Sequence, residues 1–283
     1  SRTWTPRRLA LLVGGYAAGL GGMIAVKGLF LSADRYVVVL LVPALALGVW
    51  RGYLRDFVPF VALMLAYEWL RGIAHVVSPH PFVAPPLDVD RVLFLGHQPV
   101  VLLQDLLWRG HVSWYDTALA LVQRAHFIVP PTLLFLIWLE NRALFYRCAA
   151  ALLLVSFAGA VVFAVFPAAP PWHASEIGRL PHVVKIGDAV AATSPVDTAK
   201  SWIEQQIPRN PYAAMPSLHT AYSLLTCVFA FAWRRRVGLA FLAYPAVMWF
   251  TIVYFADHYV ADILGGAAMA VAAWIAVGLL LRP

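Results

Sequence analysis

Two short stretches of the 283-residue chain gather side chains able to do chemistry: Asn210-Pro211-Tyr212-Ala213-Ala214-Met215-Pro216-Ser217-Leu218-His219, and Asp257-His258-Tyr259-Val260-Ala261-Asp262 followed by Ile263-Leu264-Gly265-Gly266. His258 and Asp262 stand four residues apart. On a helix that spacing puts them on one face, and because helical side chains lean toward the N-terminus, the carboxylate is brought up to the imidazole. Such a carboxylate holds one ring nitrogen protonated and leaves the other free and basic, the state needed for nucleophilic attack. His219 supplies a second titratable group. Ser217 can cap the helix that His219 opens, and the free N–H groups and dipole of a helix start favour a phosphate. A lone His or Ser at a helix start is more often a satisfied structural residue, but ionisable groups in a membrane-spanning segment are costly, and three converging ones point to catalysis.

The elements that must position these residues are transmembrane helices. The chain is 62% hydrophobic and 12% charged, whereas a soluble domain is about half apolar and about a quarter charged. A spanning helix needs roughly 20 apolar residues. Segments near Leu9 to Leu31, Arg35 to Trp50, Phe57 to Val76, Asp116 to Leu139, Ala143 to Phe166, Leu218 to Trp233, Val237 to Phe255 and His258 to Leu281 meet or approach that length. The first, Gly-rich and carrying Lys27, also suits an interfacial helix, and the second is short and contains Pro43. No small-residue cleavage site follows Arg7-Arg8, so a retained anchor is expected rather than a signal peptide. Each chemical stretch opens a span. The chain goes in through one helix and returns through the next, so His219 and His258, 39 residues apart, come back to one depth.

With eight spans both termini share a side, and that side collects Arg2, Arg7, Arg8, Arg51, Arg55, Arg142, Arg147, Arg234, Arg235, Arg236 and Arg282 against only Asp56 and Glu140. Basic short loops are cytoplasmic. The site is therefore expected on the extracytoplasmic face of the cell inner membrane, with two long outer loops, 77–115 and 167–217. In the first, Arg91 to Trp108 is apolar but broken at Gly96 and Pro99, which suits a re-entrant or interfacial lid. In the second, Asp197 to Ile207 has the pattern of a short amphipathic helix. Residues 1–56 form N-terminal membrane segments and 57–283 a catalytic transmembrane domain. The basic residues are scattered rather than gathered on one face, which excludes nucleic-acid binding. Cys148 and Cys227 lie in apolar runs and are expected to pack there without a disulfide. Glu68 and Arg71 are expected to form an intrahelical pair. Arg124 and His126 precede Pro130-Pro131 and are expected to line the cavity above a kink or to pair with Asp105 or Asp116.

Pro216-Ser217-Leu218-His219 and His258-Tyr259-Val260-Ala261-Asp262 resemble the two core motifs of the type 2 phosphatidic acid phosphatase superfamily, especially its branch of inositol phosphorylceramide synthases and, more distantly, sphingomyelin synthases. Phe166-Pro167-Ala168-Ala169-Pro170-Pro171-Trp172 resembles the Pro-Pro-Trp stretch of that branch. The resemblance implies an all-α polytopic fold with a six-helix core, here with about two extra N-terminal segments, and two-step chemistry without metal or other cofactor. In that scheme His258 attacks phosphorus to form a phosphohistidine, Asp262 orients it, and His219 protonates the leaving alcohol and then deprotonates the acceptor. Ser217, Leu218, Arg209 and Lys200 are the substrate-binding candidates, with Arg179 and Lys185 as other cations of the outer loop.

The chain departs from the phosphatases of the superfamily at their basic clamp. Arg209 is followed by Asn210 instead of Pro, and Thr251-Ile252 stand in place of a Ser-Arg pair. A phosphomonoester dianion needs bidentate Arg contacts, whereas a diester carries one charge. The expected partners are therefore a phospholipid donor and a lipid or polyol hydroxyl acceptor, and the alternative is a lipid phosphate phosphatase. Two histidines and an aspartate could also hold zinc in an intramembrane hydrolase, but zinc does not require the Pro-Ser anion site. A transporter would be expected to show repeats and paired broken helices, and the sequence has neither.

Overall fold

Proline sets the helix starts of the outer half. In the computed structural model, which describes residues 5–27, 33–193 and 210–281, Pro occupies the first positions of α4 (Ala84–Leu93), α5 (Pro99–Leu107), α7 (Val129–Glu140) and α9 (Pro171–Glu176). There its fixed φ suits the helix and its missing N–H costs nothing. The remaining helices are α1 (Pro6–Lys27), α2 (Ala33–Ala46), α3 (Trp50–Val77), α6 (Trp114–Ala125), α8 (Arg142–Val165), α10 (Ile186–Thr193), α11 (Leu218–Trp233), α12 (Arg235–Ala240), α13 (Ala243–Tyr254) and α14 (Val260–Leu280).

Four units are long and apolar enough to cross a membrane: α3, α8, α12 with α13 read as one, and α14. The pair α6 and α7 makes a fifth, bent by 42°. The bend falls where expected, because Pro130 and Pro131 cannot donate to the preceding turn. The sixth core helix, α11, has 16 residues and spans about 24 Å at about 1.5 Å per residue. It sits at the centre, packed on α7, α8, α13 and α14, while α1 and α2 pair with each other and α2 lies against α3 and α7. The chain is an all-α polytopic membrane protein. The helix expected at Asp197 to Ile207 and the cations Arg209 and Lys200 fall outside the described residues.

Arginines and aromatic donors fasten the end of the bundle opposite the site. Asp56, buried at the start of α3, accepts from Arg55 Nε (2.8 Å), Trp138 Nε1 (2.7 Å) and the Tyr146 hydroxyl (2.9 Å). Glu140 accepts from Arg234 (2.7 Å) and Trp233 Nε1 (2.9 Å), joining the ends of α7 and α11. Both carboxylates are thus satisfied where α3, α7, α8 and α11 converge.

Candidate active site

The site starts from a helix N-terminus held by small residues. The buried Ser217 hydroxyl accepts the Thr220 N–H (3.3 Å), capping α11, and the Ser217 N–H donates to the Asp262 carbonyl (3.0 Å). That contact places the start of α11 against α14 only because position 266 is glycine. A Cβ there would lie 2.2 Å from the Ser217 carbonyl oxygen. Leu218, one residue on, turns into the core against Gly159 of α8. The structure thus assigns Leu218 a packing role, since adjacent helical residues point about 100° apart and it is His219 that faces His258.

His219 Nδ1 and His258 Nε2 are 3.3 Å apart, as the shared depth of the two helix starts required. His258 itself lies just before α14, not within it. Its Nδ1 is 2.9 Å from the Ala214 carbonyl and 3.5 Å from Asp262 Oδ2. The expected orienting carboxylate is therefore the more distant of two acceptors. Asp262 Oδ2 accepts the Tyr259 N–H (2.8 Å) and so caps its own helix, while Oδ1 is buried with no hydrogen-bond partner among the described residues. With the proton on Nδ1 directed at Ala214, the Nε2 lone pair faces His219, a tautomer assigned from these partners.

The Ala214 carbonyl is positioned by three extended segments zipped side by side. Phe82 N–H donates to the Pro167 carbonyl (2.7 Å), Ala169 N–H to Phe82 (3.0 Å), and Ala214 N–H to Ala168 (3.3 Å). The Phe166 to Trp172 stretch is thus the middle strip joining both outer loops to the histidine, and Trp172 N–H donates to the Ala256 carbonyl (3.2 Å). Ala256 has φ +61°, a left-handed conformation unusual for a residue with a Cβ. It turns the chain into Asp257, whose carboxylate accepts from Gln123 of α6 (2.8 Å) and whose carboxyl burial pushes up in pKa.

A third histidine joins the pair. His126, at the α6–α7 bend, stacks on Tyr222 (centroids 5.0 Å apart, planes 15°) and lies 5.0 Å from the His219 ring. Its Nδ1 is buried without a partner among the described residues. His126, Tyr222 and Glu68 edge an apolar cavity walled by Phe60, Met64 and Pro130. Arg71 bonds Glu68 (2.7 Å) as expected. Its carbonyl accepts from Asn210 (3.1 Å), which places it beside the Pro-Ser segment. Asp116 does not pair with Arg124 or His126; it accepts from Ser113 N–H (2.8 Å) and the Tyr254 hydroxyl (2.8 Å). Of the outer cations, Lys185 pairs with Asp188 (2.9 Å) over the Trp172 ring, and Arg179 shares a groove with Arg91. Thr251 and Ile252 are buried, with the Thr251 hydroxyl bonded to Val247 (2.7 Å), so no cation enters from that position. Among the described residues no group of three or more His, Cys, Asp or Glu is placed to hold a metal ion.

These positions can be set beside known proteins. Phosphoinositol dihydroceramide synthase of Bacteroides thetaiotaomicron is 29% identical over 228 residues, covering 77% of this chain and 74% of that protein. The inositol phosphorylceramide synthase catalytic subunit of Schizosaccharomyces pombe is 23% identical over 121 residues (41% of this chain, 29% of that one). Inositol phosphorylceramide synthase of Candida albicans is 24% identical over 118 residues (39% and 24%). The matched stretch is thus less than a third of either fungal chain. No solved structure matches the chain significantly. A family model described as the PAP2 superfamily matches residues 87–276, a span that contains both chemical stretches, and the chain belongs to that superfamily.

Proposed function

We propose that this membrane lipid phosphotransferase moves a phosphoalcohol head group from a phospholipid donor to a lipid hydroxyl, through a phosphohistidine on His258, at the extracytoplasmic face of the cell inner membrane. The observation that carries the proposal is the facing pair: His258 Nε2 is 3.3 Å from His219 Nδ1 while His258 Nδ1 is engaged by Ala214. In the first step Nε2 bonds to phosphorus, the bond from phosphorus to the diacylglycerol oxygen breaks, and His219 gives that oxygen a proton. In the second, His219 takes the proton of the acceptor hydroxyl, the new P–O bond forms and the P–N bond breaks. The relatives named for synthesis of phosphoinositol dihydroceramide and inositol phosphorylceramide support an inositol-phosphate group as donor and a ceramide-like hydroxyl as acceptor.

The charge of the site supports transfer over phosphate release. The Ser217 helix start offers roughly half a positive charge and Arg71, paired with Glu68, adds no net charge, which suits a diester monoanion better than a dianion. A phosphomonoester dianion would lack its guanidinium at position 252. The apolar cavity beside His126 would take a hydrocarbon chain of the acceptor and keep bulk water from the phosphohistidine. The test offers purified enzyme phosphatidic acid or a phosphatidylinositol-type diester, each with diacylglycerol or ceramide. New phospholipid that depends on the acceptor is expected from the diester. Rapid phosphate release from phosphatidic acid with no acceptor-dependent product would return the enzyme to the phosphatases.

A further inference from the structure

The helix that carries Asp262 is not capped in the ordinary way. The N-cap residue of α14 is Tyr259, and a short Ser, Thr, Asp or Asn would normally stand there to accept the first free N–H groups. Three of those groups are nevertheless satisfied. Tyr259 N–H goes to Asp262 Oδ2, and the next two go to a residue some 170 positions earlier: Asp90 of α4 accepts Val260 N–H on Oδ2 (3.0 Å) and Ala261 N–H on Oδ1 (2.8 Å). Asp90 is 1% exposed. Its helix is fixed on the other side by the Gln98 side chain, which donates to the Leu87 carbonyl (2.9 Å), and by the Phe82 strip that runs into the outer zip.

We propose that Asp90 is a positioning residue of the transfer reaction: its two bonds to the start of α14 set the height and rotation of His258 and free Asp262 to cap Tyr259 and face the imidazole. The proposal rests on His258 being the nucleophile. Without Asp90, the Val260 and Ala261 N–H groups compete for the Asp262 carboxylate, which is two and one residues away, and the tie between the outer lid and the nucleophile is lost. Two carboxylates at one helix start also oppose each other, and the arrangement is not the one that stability alone would choose. Burial pushes the Asp90 carboxyl up to about 6, Asp262 adds to that, and the two N–H bonds work against it. A carboxyl whose folded value exceeds its unfolded one, about 3.9, makes the folded state lose stability as pH rises between those values, and the loss remains at higher pH. At pH 8 the ionised Asp90 is therefore held at a cost that asparagine would not carry.

The experiment compares Asp90→Asn and Asp90→Ala with wild type at pH 8, measuring kcat and KM for acceptor-dependent transfer and the melting temperature of each purified protein, with Asp88→Asn as an exposed control on the same helix. Asparagine keeps one acceptor and alanine none, so kcat is expected to fall about tenfold and about a hundredfold, with KM within twofold and the melting temperature of the asparagine variant no lower than wild type. In an Asp262→Asn background, Asp90→Asn should cost much less than it does alone, because both act on one imidazole. Wild-type kcat in Asp90→Asn, or a loss of activity matched by loss of folded protein, overturns the proposal. His258→Ala is assayed in parallel: activity there removes the nucleophile assignment itself, which is a different result from a silent Asp90.

Discussion

In the proposed mechanism, removing the His258 imidazole takes away the nitrogen that bonds phosphorus, whereas removing Asp262 loosens a helix start and a 3.5 Å contact. The two substitutions should therefore differ. His258→Ala is expected to lower turnover by about 10⁴ or more, to background, and Asp262→Ala by about 10², since Ala214 still holds Nδ1. The double variant should be no worse than His258→Ala alone, as for residues that act as one unit. Losses that multiply in steady-state assays of equally folded proteins would show that the two residues act separately. At this scale the sequence was most legible in the side chains that the structure brings together: His219, His258, Asp262 and the Ser217 cap are announced by type and spacing. It was silent on the Ala214 carbonyl, because a backbone acceptor has no residue signature. His126 was visible only as a polar residue before a proline pair, and its approach to His219 depends on the bend angle. The structural role of Leu218 follows from helix phase and was legible in principle from its neighbour His219.

Elements carry the geometry through close approach, and the contact of α11 with α14 is the closest. Gly266 meets the Ser217 carbonyl so tightly that any side chain must part the two helix starts. Gly266→Ala is expected to cost about 1–3 kcal/mol by overpacking and to reduce turnover at least tenfold, because the displaced element carries Ser217 and His219. Gly14→Ala in α1, where nothing lies within 4 Å of the added methyl, should change neither. Melting curves and transfer rates of the two variants check this, and a Gly266→Ala enzyme with normal turnover would show that the helix starts have slack. Apolar runs and prolines made the spanning helices, the α6–α7 bend and the break before α5 at Gly96 and Pro99 legible, but not α4, which starts at Ala84 in the proline-rich stretch before that break. The zip of Phe82, Ala168 and Ala213 was not, because three isolated extended residues carry neither the period-2 pattern of a strand nor any shared composition. The cap on α14 was hidden for a related reason: its donor and acceptor lie on elements some 170 residues apart.

The whole molecule has two unlike ends, and the asymmetry predicts an orientation. Arg55, Arg142 and Arg234 bind the carboxylates of Asp56 and Glu140 at one end, where Arg235 and Arg236 also lie exposed. The opposite end holds the histidines under the proline-started helices α4, α5 and α9. Since positively charged short loops are retained in the cytoplasm, the histidine end should open outward, giving the enzyme access to lipids of the outer leaflet. Single cysteines at His111, in the exposed turn between α5 and α6, and at Arg236, in the exposed first turn of α12, report the two ends. The native Cys148 and Cys227 are buried and should stay silent. In intact spheroplasts a membrane-impermeant maleimide is expected to label His111→Cys and to leave Arg236→Cys unmodified until the membrane is permeabilised. Both positions lie outside the catalytic groups, so each variant should retain transfer activity, which confirms that the labelled molecules are folded. The reverse pattern in active protein would put the phosphohistidine on the cytoplasmic side. Donor and acceptor would then be drawn from the inner leaflet, and the outward-facing site would have to be abandoned while the chemistry of His258 and His219 stood unchanged.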